Sequence, residues 1–200
     1  MKRLLILGGM LVSALGPRAA DRPPPPPSSP IAMIGDSITY QGDWTKVLGR
    51  ADVTNWGIPG YTTGQLAWTF KDLLKKQPGL KVVFLQGGIN DLTLGVPAER
   101  IYDNQVKAVA YWRAQGVIPV LQSVIYQADQ PGTNAIIKAL NARLQAFCAT
   151  AQVDYLDLNA VLAEHDALRA DMSTDGTHLK PDAYPRWAGA VTAELTKLGL

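Results

Sequence analysis

The fold turns on KVVFLQGGIND, residues 81–91. Lys81 to Gln86 is a short apolar run rich in β-formers, and Gly87-Gly88 stops it. That is the pattern of a strand buried on both faces. Four further runs read as strands: IAMI (Ile31 to Ile34, apolar and stopped by Gly35), DVTNW (Asp52 to Trp56), GVIPVLQ (Gly116 to Gln122) and VDYLDL (Val153 to Leu158). Pro119 sits awkwardly in the fourth, because proline has no N–H to give a ladder.

Helical patterns fill the intervals. From Asn134 to Thr150 the apolar residues Ile136, Ile137, Leu140, Leu144, Phe147 and Cys148 make one helical face, with Thr133 as an N-cap. Pro97 suits the first turn of a helix running through Tyr102, Val106, Val109 and Trp112. Gln65 to Lys76 and Pro181 to Leu198 are the other helical spans. Strands alternating with helices predict an α/β domain with a parallel sheet covered on both faces. In such sheets binding sites form at the carboxyl edge. The residues following each strand therefore carry the functional reading.

Composition narrows the field. Of 200 residues, 47% are hydrophobic and 18% charged, a globular mixture large enough for one sizeable core. The chain carries 19 basic and 17 acidic residues. Lys2, Arg3 and Arg18 lie in the first twenty; without them 16 basic face 17 acidic, net −1. A near-neutral domain has no electrostatic footprint for nucleic acid or for an anionic membrane surface. Cys148 is the only cysteine, so no internal disulfide or thiolate zinc cluster can form. No HExxH motif is present.

Lys2-Arg3 followed by LLILGGMLVSAL (Leu4 to Leu15) reads as a secretory signal peptide over residues 1–20, or as an uncleaved N-terminal anchor. DRPPPPPSSP, residues 21–30, reads as a polyproline tether, with the folded domain over 31–200. The mature domain is thus expected in the periplasm or outside the cell, without stable membrane insertion.

Four strand ends offer one chemistry. The first gives Gly35-Asp36-Ser37, which places a hydroxyl on a tight turn at the sheet edge. The second gives NWGIPG (Asn55 to Gly60), where glycine lets backbone approach a ligand. The third gives GGIND, in which Asn90 offers a side-chain amide to a developing oxyanion. Near the C-terminus, STDGTHLKPDAY (Ser173 to Tyr184) holds Asp175 and His178 three apart. A serine hydroxyl needs a base to become a nucleophile, imidazole titrates in the useful range, and a carboxylate fixes its tautomer. Ser37, His178 and Asp175 fill those roles; Asp157 is a competing acid.

These four segments, in this order, resemble the SGNH hydrolases, also called the GDSL lipase or esterase family. The resemblance spans Ile31 to about Leu198 and rests on Gly35-Asp36-Ser37, the glycine block ending at Gly60, Gly88 to Asp91, and Asp175 to His178. It implies a flavodoxin-like three-layer α/β/α sandwich around a parallel five-stranded sheet. It implies Ser37 as nucleophile, Asp175 and His178 as acid and base, and an oxyanion hole from the N–H groups of Ser37 and Gly60 and the amide of Asn90. No metal or organic cofactor is required. The expected substrate is a carboxylic ester with a short acyl group, acetyl on carbohydrate first among them. A lysophospholipase or thioesterase for longer chains is the alternative. Rivals of other classes are a non-catalytic polysaccharide-binding module and a flavodoxin-type cofactor binder, although GDSIT lacks a phosphate-cradling run.

Tyr40, Trp56, Ile89 and Tyr126 are candidates for lining the substrate site. Trp68, Trp112 and Trp187 fall at helix-face positions suited to packing. Asp36 and Asp91 suit turn-holding bonds to backbone. Cys148 suits a buried apolar position, and His165 an exposed or structural one.

Overall fold

The computed structural model describes residues 29–200. The signal-peptide reading of 1–20 and most of the polyproline tether lie outside the described residues. The last two tether residues already belong to the domain. Ser29 is buried and its N–H donates to Gln77 Oε1 at 3.0 Å, and the Pro30 carbonyl accepts from Lys81 and Val82.

Five strands, β1 (Ile31–Gly35), β2 (Val53–Gly57), β3 (Val82–Leu85), β4 (Ile118–Gln122) and β5 (Asp154–Leu156), form one parallel sheet in the order β2-β1-β3-β4-β5. This is the flavodoxin-like order, whose switch point lies between β1 and β3. All residues of β1 and β3 are buried, as expected of central strands covered on both faces. Each of the five runs read from the sequence overlaps one of these strands, with β1 and β2 each continuing one residue further, to Gly35 and Gly57.

Pro119 sits in β4 at no cost to the ladder. The neighbouring Ile118 N–H points to β3, donating to Lys81 O at 2.8 Å. Alternation turns the Pro119 nitrogen toward β5, whose pairing begins only at Val120. The missing N–H therefore falls just outside the ladder.

The helices are α1 (Ser37–Gln41), α2 (Trp44–Leu48), α3 (Thr63–Leu66), α4 (Phe70–Lys76), α5 (Ile89–Thr93), α6 (Ala98–Ala114), α7 (Pro131–Ala151), α8 (Asn159–Leu162) and α9 (Tyr184–Lys197). Helices α2, α8 and α9 pack together on one face, and α3, α6 and α7 on the other. An aromatic cluster seals each layer. Trp44 meets Trp187 edge-on at 4.8 Å and Tyr184 at 5.8 Å, and across the sheet Phe70 meets Trp112 at 4.8 Å. A short antiparallel hairpin, β6 (Ala163–Glu164) with β7 (Ala167–Leu168), turns through His165 and Asp166, both at positive φ.

Several helix details differ from the sequence reading. The long helix starts at Pro131, in the first turn, with Gln130 as N-cap. Thr133 therefore lies inside it, and proline's fixed φ and missing N–H suit that start. Pro97 is the N-cap of α6 rather than a member of its first turn. The span Gln65 to Lys76 is α3, a single 3-10 turn over Ala67–Thr69, and α4. Trp68, on that turn, is 74% exposed and packs in no core, and Ile136 is 47% exposed. Cys148 is buried as expected, and burial pushes its thiol up to about 12.

Candidate functional site

The turn after β1 is built by Asp36. Its side chain accepts from Ile38 N at 2.9 Å and caps α1, so Ser37 becomes the first helical residue. The amide of a residue in that position has no partner inside its helix. Helix α1 then lies hard against β2. A Cβ on Gly57 would sit 2.2 Å from the Tyr40 backbone nitrogen, so only glycine allows the approach. Asn55 fastens the same contact. Its Nδ2 donates to the carbonyls of Thr39, Tyr40 and Gly42, and its Oδ1 accepts from Gly57 N.

The second and third segments are tied to each other. The loop after β2 reverses through Gly60 at φ +79°, a backbone state that favours glycine. Asn90, on the first turn of α5, donates from Nδ2 to Tyr61 O at 3.0 Å, holding the residue next to Gly60. Asp91 is buried and accepts from Thr63 N at 2.8 Å and Thr63 Oγ1 at 2.7 Å. Burial raises its carboxyl above the ordinary value, against those bonds. Both aspartates thus hold turns through backbone bonds.

The late segment folds into a compact loop. Gly176 N donates to Ser173 Oγ, which in turn donates to His178 O, and Thr174 N donates to the same carbonyl. Asp175 Oδ1 accepts from Thr177 N at 3.0 Å and His178 N at 2.8 Å, while Oδ2 lies 2.7 Å from His178 Nδ1. Burial alone would raise the Asp175 carboxyl. The bonds from His178 and Thr177 outweigh it and bring it down to about 2. The side chain stays ionised above that pH. Its stabilising contribution is complete above the ordinary value near 4 and disappears as pH falls through the lowered one.

On its other side the imidazole meets the hydroxyl. Ser37 Oγ lies 2.9 Å from His178 Nε2, across 141 positions of chain. Tyr184 holds the two segments in register, its hydroxyl donating to Ile38 O at 2.7 Å. The result is a continuous Ser37–His178–Asp175 relay of two hydrogen bonds at the carboxyl edge of β1. Asp157 takes no part. It is exposed and accepts from Asn159 N at 3.0 Å in the turn before α8. His165 stands on the hairpin tip with its side chain 90% exposed.

A sequence model of the GDSL-like lipase/acylhydrolase family matches residues 33–186. The chain belongs to this family. The GDSL-like domain is 28% identical over 152 residues to an N-acylneuraminate cytidylyltransferase of Streptococcus agalactiae serotype III, a match covering 76% of this chain and 35% of that protein. The chain spans about a third of that relative's length. A GDSL-like lipase from Bacteroides thetaiotaomicron shares the fold with a TM-score of 0.72 at 19% identity, over 84% of this chain and 88% of that one. A carbohydrate acetylesterase family member from Sinorhizobium meliloti does so with a TM-score of 0.67 at 17% identity, over 85% and 99%.

Around the relay of this GDSL-like domain the candidate lining residues are placed unevenly. Tyr40 is half-buried at the end of α1. Trp56 lies under the Lys76 ammonium, 5.4 Å from the ring, so its face is turned to the end of α4. Ile89 and Tyr126 are 3% and 8% exposed and sit in the core cluster. A cavity of about 250 Å³ bordered by Arg113, Ile118, Gln152 and Asp154 lies where β4 and β5 begin, at the opposite edge of the sheet. Hydrogen-bond geometry rather than cavity size marks this site. Among the described residues no cluster of His, Cys, Asp or Glu is suited to a metal ion, and no helix is long and apolar enough to cross a membrane.

Sequence reasoning passed over Asn55, Tyr184 and Thr63. Each acts through backbone or through one partner distant in sequence, so no spacing within a motif betrays it. Asn55 and Tyr184 carry one signal each, their places at the head of NWGIPG and at the end of STDGTHLKPDAY.

The burial of Asp36 carries a testable consequence. It is fully buried, and Oδ2 has no hydrogen-bond partner among the described residues. Burial is the largest influence on it and pushes its carboxyl up to about 6, partly offset by the Ile38 amide and His178. A raised carboxyl stabilises the fold in full below the ordinary value near 4 and loses that contribution as pH rises through the folded value. Two pH units correspond to about 3 kcal/mol. Asp36→Asn keeps the capping oxygen and removes the charge. Denaturant unfolding between pH 4 and pH 7 should show a flatter stability profile than the native chain; an unchanged profile would contradict the assignment.

Proposed function

We propose that this domain hydrolyses carboxylic esters through an acyl-enzyme on Ser37. The observation carrying this reading is the 2.9 Å approach of Ser37 Oγ to His178 Nε2, with Asp175 2.7 Å from Nδ1. His178 takes the hydroxyl proton as Ser37 Oγ bonds to the ester carbonyl carbon. The carbonyl electrons move onto oxygen. The collapsing intermediate expels the alcohol, which leaves with the proton from His178. Water, deprotonated by the same imidazole, then releases the acid and restores Ser37. Asp175 stabilises the imidazolium without taking its proton. The oxyanion is assigned to the N–H groups of Ser37 and Gly60 and the amide of Asn90.

The substrate is a short acyl ester, acetyl on carbohydrate first among the candidates. The name of the Sinorhizobium neighbour agrees with this, and so does the expectation of export from residues 1–20, with 21–30 as tether and 31–200 as catalytic domain. The near-neutral charge of the domain supports a small-molecule or glycan-linked ester as partner rather than nucleic acid. The observation favouring longer chains is the exposure of Leu94 and Trp68, at 70% and 74%, on the segments that follow β3 and β2. A series of p-nitrophenyl esters from acetyl to palmitoyl separates the two. Acetyl should be cleaved with kcat/KM about tenfold or more above octanoyl. A maximum at eight carbons or beyond would replace this reading with the lipase one. Absence of Ser37-dependent turnover along the whole series, with glycan binding retained, would favour a binding module.

A further inference from the structure

We infer that Gln127, on the loop between β4 and α7, is a positioning residue for the loop carrying Asp175 and His178. This rests on the catalytic reading above. Gln127 belongs to none of the four sequence blocks, yet it is held more tightly than an ordinary loop residue. Asn134, buried on the first turns of α7, uses both ends of its amide on it: Oδ1 accepts from Gln127 N at 2.9 Å and Nδ2 donates to Gln127 O at 2.7 Å. That clamp leaves the Gln127 side chain free to reach out of the loop. Its Nε2 donates to Thr177 Oγ1 at 2.8 Å. Ala128 N adds a backbone bond to Gly176 O at 2.8 Å.

Thr177 is the residue through which this can reach the imidazole. It lies between the acid and the base, and its own N–H binds Asp175 Oδ1 beside that of His178. A shift of Thr177 moves the carboxylate, and with it the partner of His178 Nδ1. The segment is otherwise part-exposed, so little packing resists such a shift. The fixed end of the device is α7, a 21-residue helix anchored in the core. The chain of contacts runs α7, Asn134, Gln127, Thr177, Asp175, His178. Because Gln127 touches neither the reacting atoms nor His178, it acts on orientation alone. The expected signature is a loss in kcat with little change in KM.

The test is steady-state hydrolysis of a short p-nitrophenyl ester by Gln127→Ala, Thr177→Val, their double variant and Thr177→Ser. Gln127→Ala and Thr177→Val should each lower kcat about tenfold with KM within about twofold. The double variant should be no worse than either single one, and Thr177→Ser should keep the native rate because it keeps the hydroxyl. A native kcat in Gln127→Ala, losses that multiply in the double variant, or a Thr177→Ser as slow as Thr177→Val would each overturn the inference. Should Gln127→Ala not fold, the Val and Ser variants of the part-exposed Thr177 decide it by the same criterion. Ser37→Ala in the same assay separates the two readings. Full activity there would refute the hydrolytic assignment, whatever the Gln127 variants do.

Discussion

Ser37→Ala should lower ester turnover by about 10⁴-fold or more, about 5.5 kcal/mol of transition-state stabilisation. The expectation follows from geometry in which one oxygen has one task. Ser37 Oγ contacts the imidazole at 2.9 Å, and the turn that presents it is held by other groups. Asp36 caps α1, Tyr184 binds Ile38 O, and Asn55 secures the helix end. Removing the hydroxyl leaves all three bonds in place, so the variant should unfold at the native denaturant midpoint while losing activity. His178→Ala should be similarly inactive. The Ser37→Ala/His178→Ala double variant should be no worse than either alone, because the two groups act as one unit. Asp157→Ala should retain native activity, since that carboxylate bonds Asn159 N and Asp175 holds His178 Nδ1. A Ser37→Ala protein that kept near-native hydrolysis would remove the nucleophile from the mechanism. Labelling of the native chain by a fluorophosphonate, lost in the variant, gives an independent check.

How much of this was open to inspection in the sequence depends on the range of the interaction concerned. The strands were legible because residues such as Val82 to Leu85 combine apolar character with a glycine stop, and both are local properties. The first three blocks were legible because each follows a strand, whereas Asp175 and His178, in the loop after the 3-10 turn Ala170–Met172, were legible only by their types and spacing. The sheet then brings Gly35, Gly57 and Leu85 to one edge through register. The limits appear wherever an outcome depends on a distant partner. Pro119 looked unfavourable because the sequence does not show where β5 begins to pair. Trp68 looked like a packing residue because helical spacing continues through it, but the chain tightens into a 3-10 turn there and rotates the indole to solvent. Thr133 has cap chemistry, yet Pro131 starts the helix two residues earlier. The Gln127–Thr177 contact joins residues 50 positions apart that carry no motif of their own, so only the folded chain reveals it.

Asn90→Ala should reduce kcat by about 10²–10³-fold, or roughly 3–4 kcal/mol, with a smaller effect on KM. The structure adds a reason for the role proposed for it. A primary amide carries two N–H donors, and one of them is committed to Tyr61 O at 3.0 Å. That bond fixes the amide plane, so the second N–H has a defined direction before substrate arrives. It also holds Tyr61, and through it the loop bearing Gly60, so two of the three assigned donors are set by one contact. Alanine removes the side-chain donor and releases the loop together. Asn90→Asp separates these effects. An ionised carboxylate is isosteric but has no N–H, and it would face both Tyr61 O and the developing oxyanion with like charge. Its turnover should fall at least as far as that of the alanine variant near neutral pH. If Asn90→Ala lost less than about threefold in kcat, the oxyanion would have to be held by backbone N–H groups alone. The bond to Tyr61 would then be structural.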